Sequence, residues 1–227
     1  MAYRDKYNLE PLRIRAYLRS GVVCDKQMPL DGVLLYQAHR WLMGPPDATL
    51  PGDYTNQGVA TLPLGINNPG QKTWYYQCSW AQWSSNAEGK DHWAKRFDAR
   101  FADFVNFQGK RGNIVVKSGK YKAYRMPVFY RVAEWVEWYA TGDKAEIEAL
   151  LSTVTNIGKK CVQGWGRVSR WLIEPTLEDW SVWNGGRLMR GIPVEDAPPG
   201  LPYRAGLYGI RPSYWKRSNQ RQLVMPI

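Results

Sequence analysis

Between Asp143 and Glu174 the spacing of apolar residues changes twice, and this double change constrains the fold more than any other feature of the chain. Ile147, Leu150, Leu151 and Val154 recur at helical spacing after Asp143, whose short carboxylate suits an N-cap. Val168, Trp171 and Ile173 then carry the chain into a strand over Arg167 to Glu174. The join is Ile157-Gly158-Lys159-Lys160-Cys161-Val162-Gln163-Gly164-Trp165-Gly166-Arg167-Val168, with three glycines, three cations and one aromatic. Glycine admits φ > 0 and has no Cβ, so such a run can aim N–H groups at phosphate oxygens while Lys159, Lys160 and Arg167 supply charge. The same run suits a tight basic connection in which Gly158 ends the helix and Gly164 and Gly166 permit close packing. Trp165, held between two glycines, suits stacking on a base or ribose as well as burial beneath the loop. The run is neither a Walker loop nor a Rossmann fingerprint, because the spacing of Gly, Lys and Ser/Thr is wrong for both.

The same reasoning orders the other elements. Pro11 to Leu18 alternates Leu12, Ile14, Ala16 and Leu18 against Arg13, Arg15 and Tyr17, a half-buried strand with one basic face or edge. Asp31 is placed to cap a helix through Val33 to Met43, which Gly44-Pro45-Pro46 stops. Asp47 to Gly70 is rich in Pro, Gly, Asn and Asp, with a short strand predicted at Val59 to Leu64. Thr73 to Trp80 and Met126 to Tyr139 read as two further strands. They bracket an insertion at about residues 81–125. Within it Trp93, Phe97, Phe101, Phe104 and Val105 fall at helical spacing, Gly109 to Gly112 turns, and Ile114 to Val116 suits a short strand. The order is β-α-β-β-α-β, so the expected fold is α+β and ferredoxin-like over residues 1–175. Residues 176–227, rich in Pro, Gly and aromatics, are expected to be an irregular extension packed on that core.

A formal charge of +11 and a sequence pI near 9.6 favour a polyanionic partner, whether RNA, DNA or an acidic membrane. Ten cations against three anions lie between Lys90 and Arg125, so most of the excess sits in the insertion. Lys110, Arg111, Lys117, Lys120, Lys122 and Arg125 are candidate phosphate contacts there, the alternative being a solvated face. Arg13 and Arg15 extend the candidate surface to the first strand. Twelve Trp and fourteen Tyr supply packing mass and stacking faces, and Trp74-Tyr75-Tyr76 fits a sheet face better than a base platform. Cys24, Cys78 and Cys161 are odd in number and far apart, which gives no disulfide framework or metal cluster and suits a reducing cytoplasm. No apolar run approaches a membrane span, so a soluble, cytoplasmic protein is expected.

Pro11-Leu12-Arg13-Ile14, Leu30-Asp31-Gly32-Val33-Leu34, Trp74-Tyr75-Tyr76, Gly158 to Val168, and Asp179-Trp180-Ser181-Val182-Trp183 with Gly186-Arg187-Leu188-Met189-Arg190 occur in order. This set resembles the RAMP superfamily of CRISPR effector subunits, and within it the Cas-five-type subunit of type IV systems, over about residues 10–195. The resemblance implies a non-catalytic subunit without cofactor or metal that caps the 5′ handle of the guide RNA. It further implies contacts with Cas-seven-type backbone subunits and a large subunit, target DNA near the complex, and a helicase recruited to it. Gly158, Lys159, Lys160, Gly164, Trp165, Gly166 and Arg167 match the RNA-facing loop of such proteins. By position the basic insertion is the candidate for their thumb, which crosses the guide. Arg187 and Arg190 are placed to reach RNA or a partner subunit.

Some RAMP relatives cut guide precursors without metal, with a histidine as general acid or base. His39 lies on the first helix with Tyr36 one turn away, so a guide-processing endoribonuclease using His39 is the alternative function; a surface or interface histidine is the bland reading. His92, beside Asp91 in the insertion, suits contact with RNA or solvent.

Overall fold

The computed structural model describes residues 7–25, 27–43, 62–105, 113–200 and 204–226. In chain order the elements are β1 (Leu9–Leu18), α1 (Leu30–Met43), β2 (Ile66–Asn67), β3 (Tyr75–Tyr76), β4 (Gln82–Trp83), β5 (Ala87–Lys95), β6 (Tyr124–Val132), β7 (Trp135–Asp143), α2 (Lys144–Leu151) and β8 (Val168–Pro175). The fold is mixed α/β, and its named strand pairs are antiparallel.

Alternation builds the centre. Leu12, Ile14 and Ala16 of β1 are buried, and the register sets Ile14 beside Trp138 and Ile173, and Ala16 beside Val136 and Trp171. The sheet runs β4-β7-β1-β8. Its apolar face is covered by Leu30 and Leu34 of α1 and by Ile147, Leu150 and Leu151 of α2, all in one cluster. Trp138 is fully buried, and its indole N–H donates to the Met28 carbonyl at 3.0 Å, so the largest ring of the core leaves no polar atom unmatched. Asp143 caps α2 as expected, accepting from the Glu146 N–H at 3.2 Å. The helix stops at Leu151, short of Val154, the last residue at helical spacing, because Ser152-Thr153-Val154-Thr155 is a run of hydroxyl and β-branched residues. Trp171 takes the Val154 carbonyl at 2.9 Å.

On the other sheet face Arg15 forms an ion pair with Glu137 at 2.7 Å and stacks on Trp135 at 4.1 Å. Arg13 donates to Glu174 and holds that carboxyl below its ordinary 4.5. A depressed folded value means that the pair's stability is complete above about pH 4.5 and is lost as pH falls through the folded value. Arg13→Leu is therefore expected to be less stable than the parent near neutrality, with the gap closing in strong acid. Denaturant titration at the two pH values checks this, and a gap that persists in acid would assign it to packing instead.

Several elements differ from the sequence expectation. Thr73 to Trp80 is not one strand: only Tyr75–Tyr76 pair with Ile66–Asn67, while Cys78 and Trp80 make single bridges to Ala140 and Pro29. The carbonyls of Tyr76 and Cys78 are occupied by the Arg190 guanidinium, which breaks the ladder, and Gln82–Trp83 takes the sheet edge instead. Met126 to Tyr139 divides into β6 and β7 at Glu134, where the Ser84 hydroxyl accepts from the N–H groups of Glu134 and Trp135. Trp93 lies in strand β5, and the helical spacing is realised only as a short 3-10 helix over Ala99–Phe104 capped by Asp98. Ile114 to Val116 is not a strand, and the Gly109 to Gly112 turn lies outside the described residues, as does the first half of Val59 to Leu64, whose Leu64 makes a single bridge to Gly142. Asp31 sits within the first turn of α1, buried, and accepts from the Tyr214 hydroxyl.

The C-terminal segment is ordered rather than irregular. β9 (Trp183–Asn184) and β10 (Arg187–Leu188) form a hairpin, and β11 (Ile192–Pro193), β12 (Arg204–Gly209) and β13 (Gln220–Met225) form a sheet in the order β11-β13-β12. Leu188, Ile192, Ile210, Leu223, Val224 and Met225 bury a second cluster against Tyr75. Arg190 joins the two clusters. It is 1% exposed and also donates to the Ile210 carbonyl at 3.0 Å, so the proposed reach toward RNA is replaced by a structural clasp.

Candidate nucleic-acid interface

The glycine-rich run forms a compact loop closed by a 3-10 helix at Cys161–Gln163. Gly158, Gly164 and Gly166 all have positive φ, and Lys160 shares that conformation at φ 62°. The backbone is turned inward. The N–H groups of Ile157, Lys159, Gln163, Gly164, Gly166 and Arg167 are donated to acceptors within the protein, including Val23, Gly21 and Ser20. These bonds make the loop a tight connection, and Lys159, Lys160 and Arg167 carry its charge outward.

Those side chains are braced against the insertion. β5 and β6 pair over nine residues each as a long hairpin, separate from the central sheet and tied at its base by reciprocal Val22 and Arg131 hydrogen bonds of 2.9 Å. Trp165 lies half-buried beneath the loop with its ring 4.5 Å from that of Tyr130 on β6. Lys160 sits 4.0 Å over the ring of Trp93 on β5, and Trp93 meets Tyr124 edge-on at 5.1 Å. Residue alternation puts Trp93, Tyr124, Val128 and Tyr130 on one hairpin face, toward the loop, and Lys90, His92, Arg125 and Phe129 on the other. Lys90 over Phe129 at 5.7 Å and Lys95 over Tyr124 at 6.0 Å repeat the pairing of cation and ring along the hairpin.

Of the loop cations, Lys159 meets Asp25 at 2.8 Å in an exposed pair, Lys160 rests on Trp93, and Arg167 is exposed. An exposed pair of this kind exchanges readily with other ions. Lys117, Lys120, Lys122 and Arg125 are exposed on the hairpin and its connection, while Lys110 and Arg111 lie outside the described residues. Arg13 and Arg15 sit in mid-strand on the outer sheet face with their charges matched by Glu174 and Glu137. Sequence reasoning missed Trp93 and Tyr130 as partners of the loop. Their signal, alternation with Asp91 and Val128, was masked by the helical spacing of the aromatics that follow.

All three cysteines are free, and burial pushes the Cys78 thiol up to about 12 and that of Cys24 up to about 11. No group of three His, Cys, Asp or Glu that would hold a metal occurs among the described residues. No helix of the described residues is long and apolar enough to cross a membrane. His39 lines a cavity beside α1, Tyr36 is exposed with Arg40 5.9 Å over its ring, and His92 is exposed on the hairpin.

Fold and surface together define a basic, antiparallel α/β protein that displays cations on an aromatic scaffold along one loop and one hairpin. The family described as CRISPR type IV associated protein Csf3 matches residues 10–226. The chain belongs to that family, the Cas-five-like subunit of type IV systems, which places it in a complex with other Cas subunits. The match runs past residue 195 through the C-terminal sheet, so that sheet is part of what the family shares. No curated protein matches the chain.

Proposed function

We propose that this chain is the guide-RNA-binding subunit of its type IV complex, holding the 5′ handle along the loop and the hairpin without cutting it. The observation that carries this reading is the bracing of the basic loop on the basic hairpin through Lys160 with Trp93 and Trp165 with Tyr130. Two cationic segments far apart in sequence are thereby held side by side, with Lys95 on the hairpin face that meets the loop. Phosphates meet lysine and arginine side chains there, and the exposed rings offer faces to unstacked bases, the combination that single-stranded RNA requires. The hairpin is the thumb in this reading. The core is ferredoxin-like and of the RAMP kind: β1, α1, β4, β7, α2 and β8 follow in β-α-β-β-α-β order, with β1 and β7 at the centre of the sheet and β5–β6 inserted between its second and third strands. Cas-seven-type backbone subunits, the large subunit, target DNA and a helicase are its proposed neighbours in the complex.

Lys159→Ala with Lys160→Ala removes two phosphate contacts from the loop, so RNA affinity falls and the salt slope flattens by about 1.4 on single-stranded RNA. Fluorescence anisotropy over a salt series on the folded double variant reads both. Unchanged affinity and slope would remove the loop from the site. A processing enzyme using His39 would instead leave one metal-independent cut in its repeat RNA that His39→Ala abolishes, whereas binding without that cut is the expected result.

A further inference from the structure

A cavity of about 300 Å³ lies beside α1 and shares no lining residue with the loop or the hairpin. Three segments remote in sequence wall it: Leu35 and His39 of α1, Trp74 and Tyr76 before β4, and the turn from Arg211 to Asn219 between β12 and β13. Its charged lining is cationic. Arg211, Lys216 and His39 line it with Ser213, Ser218 and Asn219, whose amide N–H groups donate to the Pro212 and Ser213 carbonyls, and no carboxylate is among the lining residues.

Arg211 is fixed in place. Its guanidinium stacks 4.5 Å from the Trp74 ring centroid, and its Nη1 donates to the carbonyls of Lys72 at 3.0 Å and Trp74 at 2.9 Å. Those bonds use both hydrogens of Nη1 and lock the plane, so Nε and Nη2 remain as the paired donors that match two phosphate oxygens. Burial, and then the like charge of Arg221, pull the Arg211 pKa down. A partly desolvated cation beside a second cation is the situation that a bound anion relieves. The rest of the wall, Leu35, Trp74, Tyr76 and Pro212, is apolar or aromatic and suits a flat ring better than a sugar or a peptide.

We propose that this cavity binds one nucleoside monophosphate unit, with its phosphate on Arg211 and Lys216 and its base against the half-buried Leu35, Trp74 and Pro212. The volume is at the low end of small-ligand sites, roughly 300 Å³ upward, so it takes a single nucleotide and not a run of them. The unit comes either from a free nucleotide or from the phosphorylated terminal nucleotide of a strand.

Calorimetry on the full chain with AMP, adenosine and inorganic phosphate tests the site. AMP is expected to bind saturably at millimolar concentration or below, with adenosine and phosphate each about tenfold or more weaker. Arg211→Gln is expected to weaken AMP about tenfold or more while leaving the salt slope for guide RNA unchanged. A trinucleotide with a 5′ phosphate that competes with AMP when its 5′-hydroxyl counterpart does not assigns the strand end; failure of both to compete assigns the free nucleotide. Absence of saturable AMP binding, phosphate binding as tightly as AMP, or AMP affinity unchanged in the folded variant would overturn the proposal. If Arg211→Gln does not fold, Lys216→Ala, on the same wall, carries the comparison with the same expected loss.

Discussion

Arg190→Leu is expected to lower the stability of the folded chain by about 3–5 kcal/mol, the cost of breaking a buried charge network from one side. The guanidinium is buried and donates to the carbonyls of Tyr76, Cys78 and Ile210. It is also the cation that faces the buried carboxyl of Asp31, which burial pushes up and which Arg190 and Tyr214 pull back. Leucine fills part of the volume and satisfies none of these groups; Asp31 Oδ2 is already without a hydrogen-bond partner among the described residues. Urea unfolding followed by tryptophan fluorescence measures the loss, which corresponds to roughly 10 °C in Tm for a chain of this size. Arg190→Leu combined with Asp31→Leu is expected to recover part of it, because the second change removes the stranded acid. A single variant within about 1 kcal/mol of the parent would show that the network is not a determinant of the fold.

Gly166→Ala is expected to cost about 2–4 kcal/mol, combining left-handed backbone strain with the displacement of packed neighbours. A Cβ at Gly166, where φ is 68°, would lie 1.8 Å from the Ile157 carbonyl oxygen, so the backbone itself must move. That movement breaks the bond from the Ile157 N–H to the Gly166 carbonyl and the one from the Gly166 N–H to Gly21. Gly164 is the internal control. Its φ is 88°, but a Cβ there meets nothing closer than the Arg167 guanidinium at 3.8 Å. Gly164→Ala is therefore expected to cost only the left-handed strain, about 1–2 kcal/mol. Paired thermal melts of the two variants separate the effects, and equal losses would refute the steric account.

Reading the sequence captured the elements whose apolar spacing is decided by one buried face. β1, α1, α2 and β8 fall where Leu12 and Ile14, Leu30 and Leu34, Ile147 and Leu151, and Ile173 point into a single cluster. The failures lie where a side chain distant in sequence sets the backbone. Thr73 to Trp80 has strand composition, yet Arg190, more than a hundred residues later, takes two of its carbonyls. Trp93 to Val105 has helical spacing, yet pairing of Trp93 with Met126 and of Lys95 with Tyr124 draws the start of that segment into a strand. In the loop, composition identified the cations but not the direction of the N–H groups, which depends on contacts with Gly21 and Val23. The short strands of the C-terminal sheet carry too few alternating residues to stand out against the Pro- and Gly-rich segments between them.

The contact between Asp31 and Tyr214 spans 183 residues. A nascent chain leaving the ribosome exposes α1 long before the Tyr214 hydroxyl and the Arg190 guanidinium that answer its buried acid have been made. The central sheet is held open in the same way until β8 reaches β1. Completion of the fold therefore waits on contacts between distant segments, and until they form the apolar faces of β1 and α1 stay unpaired and open to association with other chains.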